Sequence, residues 1–289
     1  MRNFEVLFDG GEESPLQHPA YARYGKLGFP PAPPERPWIF ANFVQTLDGI
    51  TSWKGEHALG SDISRSAEDR WLMDLLRAHA DAVLLGSKTL AVEKTVLGPG
   101  SRGATYQIED EELRELRAKL GRRREKIIFV TGSAALTFSE YAVFDGDKVD
   151  AVVLTARAGA AKLAPQQGRF PHVRVLVAGE GNVVDLPAAM RLLAGELGIR
   201  LLLCEGGPTL YGYMSRSGLV DEKFLTISPV EAGQIIPQEQ EAGMLEGPAR
   251  LRPTTFSAPG FLPENAPWWS WISCRKAGDH EFNRYRRKR

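Results

Sequence analysis

Short, unbroken apolar runs divide the chain at regular intervals and define its architecture. Leu201-Leu202-Leu203-Cys204 is too short for a helix and lacks the alternation of a half-exposed strand, so it reads as a strand buried on both faces. Asp81 to Gly86, with the core Ala-Val-Leu-Leu, reads as a second buried strand. Trp38 to Val44 reads as a strand ended by the turn Gln45-Thr46-Leu47-Asp48-Gly49. Further strands are expected at Lys126 to Thr131, Asp150 to Thr155 and Val173 to Ala178. Between them the period lengthens to that of a helix. Leu72, Leu75, Leu76 and His79 follow a Ser66 to Asp69 capping box, and Leu113, Leu116 and Leu120 stripe the charged stretch 109–121. Leu186, Met190, Leu193 and Leu197 share a face over 186–197. Strands alternating with helices predict an α/β protein with a largely parallel sheet. Beyond residue 219 the pattern offers strands near 222–228, 251–257, 268–275 and 281–286 with hardly any helix between them. An antiparallel edge is expected there, of the kind that serves a homodimer.

The prolines of Phe29-Pro-Pro-Ala-Pro-Pro-Glu-Arg-Pro37 hold an extended connection. Residues 1–35 are therefore expected to be an extension that leans on a main domain of residues 36–289. The 36 basic and 36 acidic residues cancel, so no global field draws the protein to nucleic acid or membrane. Two distant cysteines, Cys204 and Cys274, give neither a disulfide framework nor a metal spacing. With no apolar stretch long enough to span a bilayer and no signal pattern at the amino terminus, a cytoplasmic location is the default.

The chemistry concentrates at Arg200 to Gly212. Glu205 stands at the carboxyl end of the buried strand, where open α/β sheets place their ligands. Gly206 and Gly207 permit a turn or close approach, and Pro208 is pre-set for a first helical turn. Thr209 and the residues after it would then present free N–H groups at a positive helix end, a site for phosphate. A plain strand-to-helix turn with a surface glutamate is the alternative.

Three motifs together resemble a known family. Asn42-Phe-Val-Gln-Thr-Leu-Asp-Gly49, then Leu75-Leu-Arg-Ala-His-Ala-Asp-Ala-Val-Leu-Leu-Gly-Ser-Lys-Thr89, then Glu205-Gly-Gly-Pro-Thr-Leu210 occur in the order and spacing of the reductase domain of the bifunctional riboflavin-biosynthesis deaminase-reductase. Gly218 to Glu222 and Leu225 to Pro229 extend the likeness. The resemblance implies a dihydrofolate reductase-like fold, with a mostly parallel central sheet, flanking helices and antiparallel C-terminal strands. It also implies reduction by NADPH of the ribose of a phosphoribosylamino-pyrimidine, the hydride going to C1′ of the ring-opened sugar. No deaminase zinc signature is present, so deamination would fall to another protein.

Carried over residue by residue, the resemblance implies that Glu205 assists at the ribose while Asp48 and Asn42 place the substrate. Val44, Thr89, Glu93, Ser133 and the stretch Gly206, Gly207, Pro208, Thr209 and Leu210 would contact the cofactor. Ser61 and Arg77 would contact the substrate, and Arg102 its phosphate. Lys88 and Arg157 are candidates for the NADPH 2′-phosphate. Asp48-Gly49 is also a common turn pair, and Arg77 could simply answer a helix dipole. Glu93 replaces the family's usual Asp, and Ile50 its usual Lys, which leaves dihydrofolate, a pterin or another small imine as alternative substrates. The basic run Arg284 to Arg289 raises a nucleic-acid reading, but no aromatic-basic face recurs elsewhere.

Overall fold

The apolar runs become the strands of one large sheet. The computed structural model describes residues 3–52, 60–233, 249–250 and 266–289. In chain order these form β1 (Glu5–Asp9), α1 (Pro19–Tyr24), β2 (Trp38–Gln45), β3 (Ile50–Ser52), α2 (Gly60–Ser64), α3 (Ala67–His79), β4 (Ala82–Gly86) and α4 (Ser87–Val96). Then come α5 (Glu111–Lys119), β5 (Lys126–Thr131), β6 (Asp150–Thr155), α6 (Arg157–Gln167), β7 (Arg174–Val177), α7 (Leu186–Leu197), β8 (Leu201–Cys204) and α8 (Pro208–Arg216). The last strands are β9 (Glu222–Ile227), β10 (Ala249–Arg250), β11 (Trp269–Ala277) and β12 (His280–Arg287). Among the described residues the main sheet has ten strands, in the order β1-β11-β12-β9-β2-β8-β4-β5-β6-β7.

From β9 to β7 every neighbouring pair is parallel, and β12, β11 and β1 add antiparallel strands at one edge. The expected strand β8 lies deep in the parallel part, pairing Leu201 with Trp38 on one side and Leu202 with Ala82 on the other. It is buried along its whole length because helices cover both faces. Leu72, Leu75, Leu113 and Leu116 of α3 and α5 pack on one face, and Met190, Leu193, Leu210 and Met214 of α7 and α8 on the other. The expected strand near 251–257 lies outside the described residues.

The amino-terminal segment does more than lean on this sheet. β1 pairs with β11, and Phe4 packs edge-on against both Tyr24 and Phe282. Fully buried Arg275 donates to the carbonyls of Tyr24 and Lys26 and to Asp9. Arg200 holds the proline-rich stretch by donating to the carbonyls of Ala32, Pro33 and Pro34. Residues 3–35 therefore share the core of the domain they precede.

The Ser66 cap forms only in its forward direction. Ser66 Oγ accepts from the Asp69 amide at 3.2 Å, but the Ser66 amide donates to Ser64 Oγ and the Ser66 hydroxyl to Glu68. The segment from Ser87 onward, which reads as a loop at Thr89, is the helix α4, with Gly86 at its N-cap and no capping side chain.

Candidate active site

The carboxyl ends of the parallel strands open onto two adjoining clefts that meet at Thr89, Gly207 and Pro208. Open α/β sheets place ligands at such ends. One is a groove of about 660 Å³ between the amino-terminal turns of α4, α7 and α8. The other, of about 810 Å³, lies over β2, α2, α3 and the loop 103–109.

The groove is built around the glycine turn after β8. A Cβ on Gly206 would stand 2.7 Å from the Gly86 amide nitrogen and 2.8 Å from Leu85 Cα, so only glycine lets α8 start this close to β4. The Gly207 amide donates to Thr89 Oγ1 at 3.2 Å, tying the start of α8 to the first turn of α4. Neither helix has a side chain capping its N-terminus, so two positive dipole ends converge on the same space. Lys88, Ser133, Thr209 and Leu210 line it as well. Free N–H groups, two helix dipoles and a lysine form a donor set that fits the phosphates of a dinucleotide.

The larger cleft carries the titratable groups. Arg77, from the last turn of α3, clasps Glu205 in a fork: Nε donates to Oε1 at 2.8 Å and Nη2 to Oε2 at 2.7 Å. Both side chains are buried, at 5% and 7% exposure, and Asp74 lies 3.6 Å from the same guanidinium. Burial works against the Arg77 charge, but Glu205, Asp74 and Glu93 together hold its pKa above the usual range. Asp74 also accepts from the amides of Glu109 and Asp110, fastening the loop above the cleft to α3, and burial pushes its carboxyl up. Tyr106 donates a short hydrogen bond to Glu93, whose carboxyl is likewise raised by burial. Asn42 lines the cleft, and its Oδ1 is buried without a hydrogen-bond partner.

The clefts gather most of the expected residues. Asn42, Val44, Ser61, Arg77, Glu93 and Glu205 line the larger one, Ser133, Thr209 and Leu210 the groove, and Thr89, Gly207 and Pro208 both. Gly206 lines neither but makes their junction sterically possible. Glu93, expected at the cofactor, faces the same cleft as Glu205. Three expected residues stand apart. Asp48 accepts from the Thr46 hydroxyl and from the amides of Ala232 and Gly233, which is the turn-capping alternative. These bonds, the Thr46 hydroxyl first, hold its pKa below the ordinary value. Arg102 forks onto Asp145 at 2.7 Å, and Arg157 onto exposed Glu180, so each already has its anion. Tyr106, Asp69, Arg65 and Arg70 line the cleft without having been expected there. Sequence spacing gave no signal for Tyr106, whose loop is tied to the cleft through Glu93 on α4 and Asp74 on α3.

The terminal basic run is largely consumed within the fold. Arg284 and Arg286 bind buried Glu222, Arg287 donates to the Ser215 carbonyl, and Arg289 binds Asp221. That leaves the nucleic-acid reading little to stand on.

Comparison with known proteins gives the fold and the family. Similar proteins include the 2,5-diamino-6-ribosylamino-4(3H)-pyrimidinone 5′-phosphate reductases of Archaeoglobus fulgidus and Methanothermobacter thermautotrophicus. They are 27% and 29% identical over 198 residues, which is 68% of this chain and 83% and 80% of theirs. A pyrimidine reductase-like protein from Corynebacterium diphtheriae shares the fold with a TM-score of 0.63 at 22% identity, covering 88% of this chain and 92% of that one. The riboflavin biosynthesis reductase Rib7 of Saccharomyces cerevisiae does so with a TM-score of 0.57 at 17% identity, covering 89% and 92%. The expected mostly parallel sheet with antiparallel C-terminal strands is thus the fold of the chain, shared with these proteins. Residues 37–257 match the RibD C-terminal domain, and the chain belongs to that family.

Proposed function

We propose that this protein is an NADPH-dependent reductase of a phosphoribosylamino-pyrimidine in riboflavin biosynthesis. The observation that carries the reading is the junction at Thr89 and Gly207, where a phosphate-binding groove opens into a polar cleft holding the Arg77–Glu205 pair. A dinucleotide laid along the groove would bring its nicotinamide end to that junction, facing a substrate in the cleft. When bound, NADPH supplies the hydride, which no side chain can. The chain's own residues do the rest. Thr209 and the first turn of α4 hold phosphate through N–H donors, and Lys88 lines the same groove. Glu205, locked by Arg77, orients the ribose hydroxyls as a fixed acceptor. Asn42 offers its free Oδ1 to a donor on the substrate. Ser61 and Arg65 at the cleft suit the substrate phosphate, a role for which Arg70 would have to leave Glu109 and Arg102 would have to leave Asp145.

The relatives are named for the 2,5-diamino pyrimidinone; the deaminated uracil bearing the same sugar is the other candidate pyrimidine. NADPH oxidation by the purified protein with each pyrimidine, and with dihydrofolate, tests the reading. Turnover with at least one pyrimidine and none with dihydrofolate is expected. Turnover with dihydrofolate alone would overturn it.

Location in the cytoplasm and a homodimer belong to the same reading. Phe8, Trp268 and Trp271 stand exposed around the antiparallel strands and suit a subunit contact. A monomer by light scattering would refute the dimer.

A further inference from the structure

Opening the ribose ring requires a proton at the ring oxygen, and both oxygens of Glu205 are already engaged as acceptors for Arg77. A second carboxyl group faces the same cleft. Glu93 lies on the second turn of α4, with Tyr106 donating to its Oε2 from the loop on the other side. Tyr106 is buried at 6% exposure, its ring edge-on to Phe129 and 6.0 Å from the Arg77 guanidinium. It reaches this position with φ of +60°, in the left-handed region that a non-glycine residue occupies at a cost. That strain aims a hydroxyl at a carboxyl in a catalytic cleft.

Resting on the proposed reductase activity, we propose that Glu93 is the catalytic acid that opens the ribose ring and that Tyr106 is its positioning residue. In this step the C1′–O4′ bond breaks, its electron pair leaves with O4′, and O4′ takes the proton from the Glu93 carboxyl. The lone pair of the exocyclic nitrogen forms the C1′=N bond of an iminium ion. Hydride addition at C1′ returns the π electrons to nitrogen, giving the secondary amine, and Glu93 regains its proton from solvent. Overall, substrate, NADPH and one proton become ribityl product and NADP⁺. Burial favours the protonated form of Glu93, and Glu205 adds to this. Tyr106, Arg77 and Arg70 oppose it. The rate should therefore fall as pH rises through the Glu93 titration.

Ring opening can be read without cofactor, as exchange between the two C1′ anomers of the phosphoribosylamino-pyrimidine followed by NMR. Wild-type protein is expected to accelerate this exchange, and Glu93→Gln to lose it by roughly hundredfold, the usual contribution of a positioned acid. Glu93→Asp, which keeps a carboxyl, should recover part. Tyr106→Phe removes a bond that favours the carboxylate, so its fall in rate should move to higher pH. NADPH titration and thermal unfolding identify variants that have lost the fold, and for those Glu93→Asp and Tyr106→Phe carry the test. Exchange by Glu93→Gln at the wild-type rate, an unmoved pH profile in Tyr106→Phe, or a wild type that turns over but accelerates no exchange would overturn the assignment. Absence of wild-type turnover with either pyrimidine would instead overturn the reductase reading on which it rests.

Discussion

Replacing Arg77 by Met keeps much of the side-chain bulk but strips the guanidinium from two buried carboxylates. Glu205 at 7% and Asp74 at 3% exposure would then face each other with no cation between them. Breaking a buried ion pair by removing one partner costs about 3–5 kcal/mol, because the remaining charge stays desolvated. The open cleft lets water reach Glu205, which argues for the lower end of that range. At about 2–4 °C per kcal/mol for a large domain, the melting temperature should fall by roughly 6–12 °C. The pH dependence supplies a sign. Burial already raises the Asp74 carboxyl against the opposing Arg77 charge, so losing that cation makes the folded state bind its proton more readily still, stability declines as pH rises and the deficit is larger at pH 8 than at pH 5. Arg77→Met/Glu205→Gln should recover part of the loss by removing one orphaned charge. Thermal unfolding of wild type and both variants at the two pH values makes the measurement. A single variant within about 1 kcal/mol of wild type would mean that the pair is screened like a surface salt bridge, and would refute the reasoning.

Gly206→Ala puts a Cβ within 2.7 Å of backbone at Gly86, so it should destabilise the fold by about 1–3 kcal/mol and weaken NADPH binding, read by fluorescence titration. His79, fully buried and bonded to the Tyr21 hydroxyl, is pushed down to about 4 by burial. The unfolded chain then binds the extra proton first, so stability is complete above about pH 6.5 and declines towards pH 4, by about 3 kcal/mol in all. His79→Gln should flatten denaturant-derived stability over that window. Asp48→Asn keeps an acceptor for only one of the Ala232 and Gly233 amides, which bond separate carboxylate oxygens, so some stability is lost while turnover should stay near wild type if Asp48 only caps the turn; a collapse of kcat would restore it to catalysis.

What the sequence revealed followed the range of the forces involved. Leu201–Cys204, the Ser66 start of α3 and the glycine turn before α8 are local signals, and each appears in the fold. β1 was missed because Val6, Leu7 and Phe8 are all exposed, so no alternation marks them, and the partner strand lies at the far end of the chain. α6 was missed because only Gly159 and Leu163 along it are buried and Pro165 interrupts it. In the site, the glycine motif marks the turn around which the groove is built. The Arg77–Glu205 fork joins residues 128 apart, and the Asp145 that holds Arg102 is 43 residues away, so neither partnership is written in local spacing. Family likeness could nominate Arg77, but only the fold assigns it to Glu205.

Single turnover with NADPH deuterated at the transferring C4 position tests the central claim most directly. The account predicts one deuterium at C1′ of the ribityl chain in the isolated pyrimidine product, with matching oxidation of the cofactor. Recovery of unreduced ribosyl substrate while NADPH is demonstrably bound, or deuterium anywhere but C1′, would contradict it.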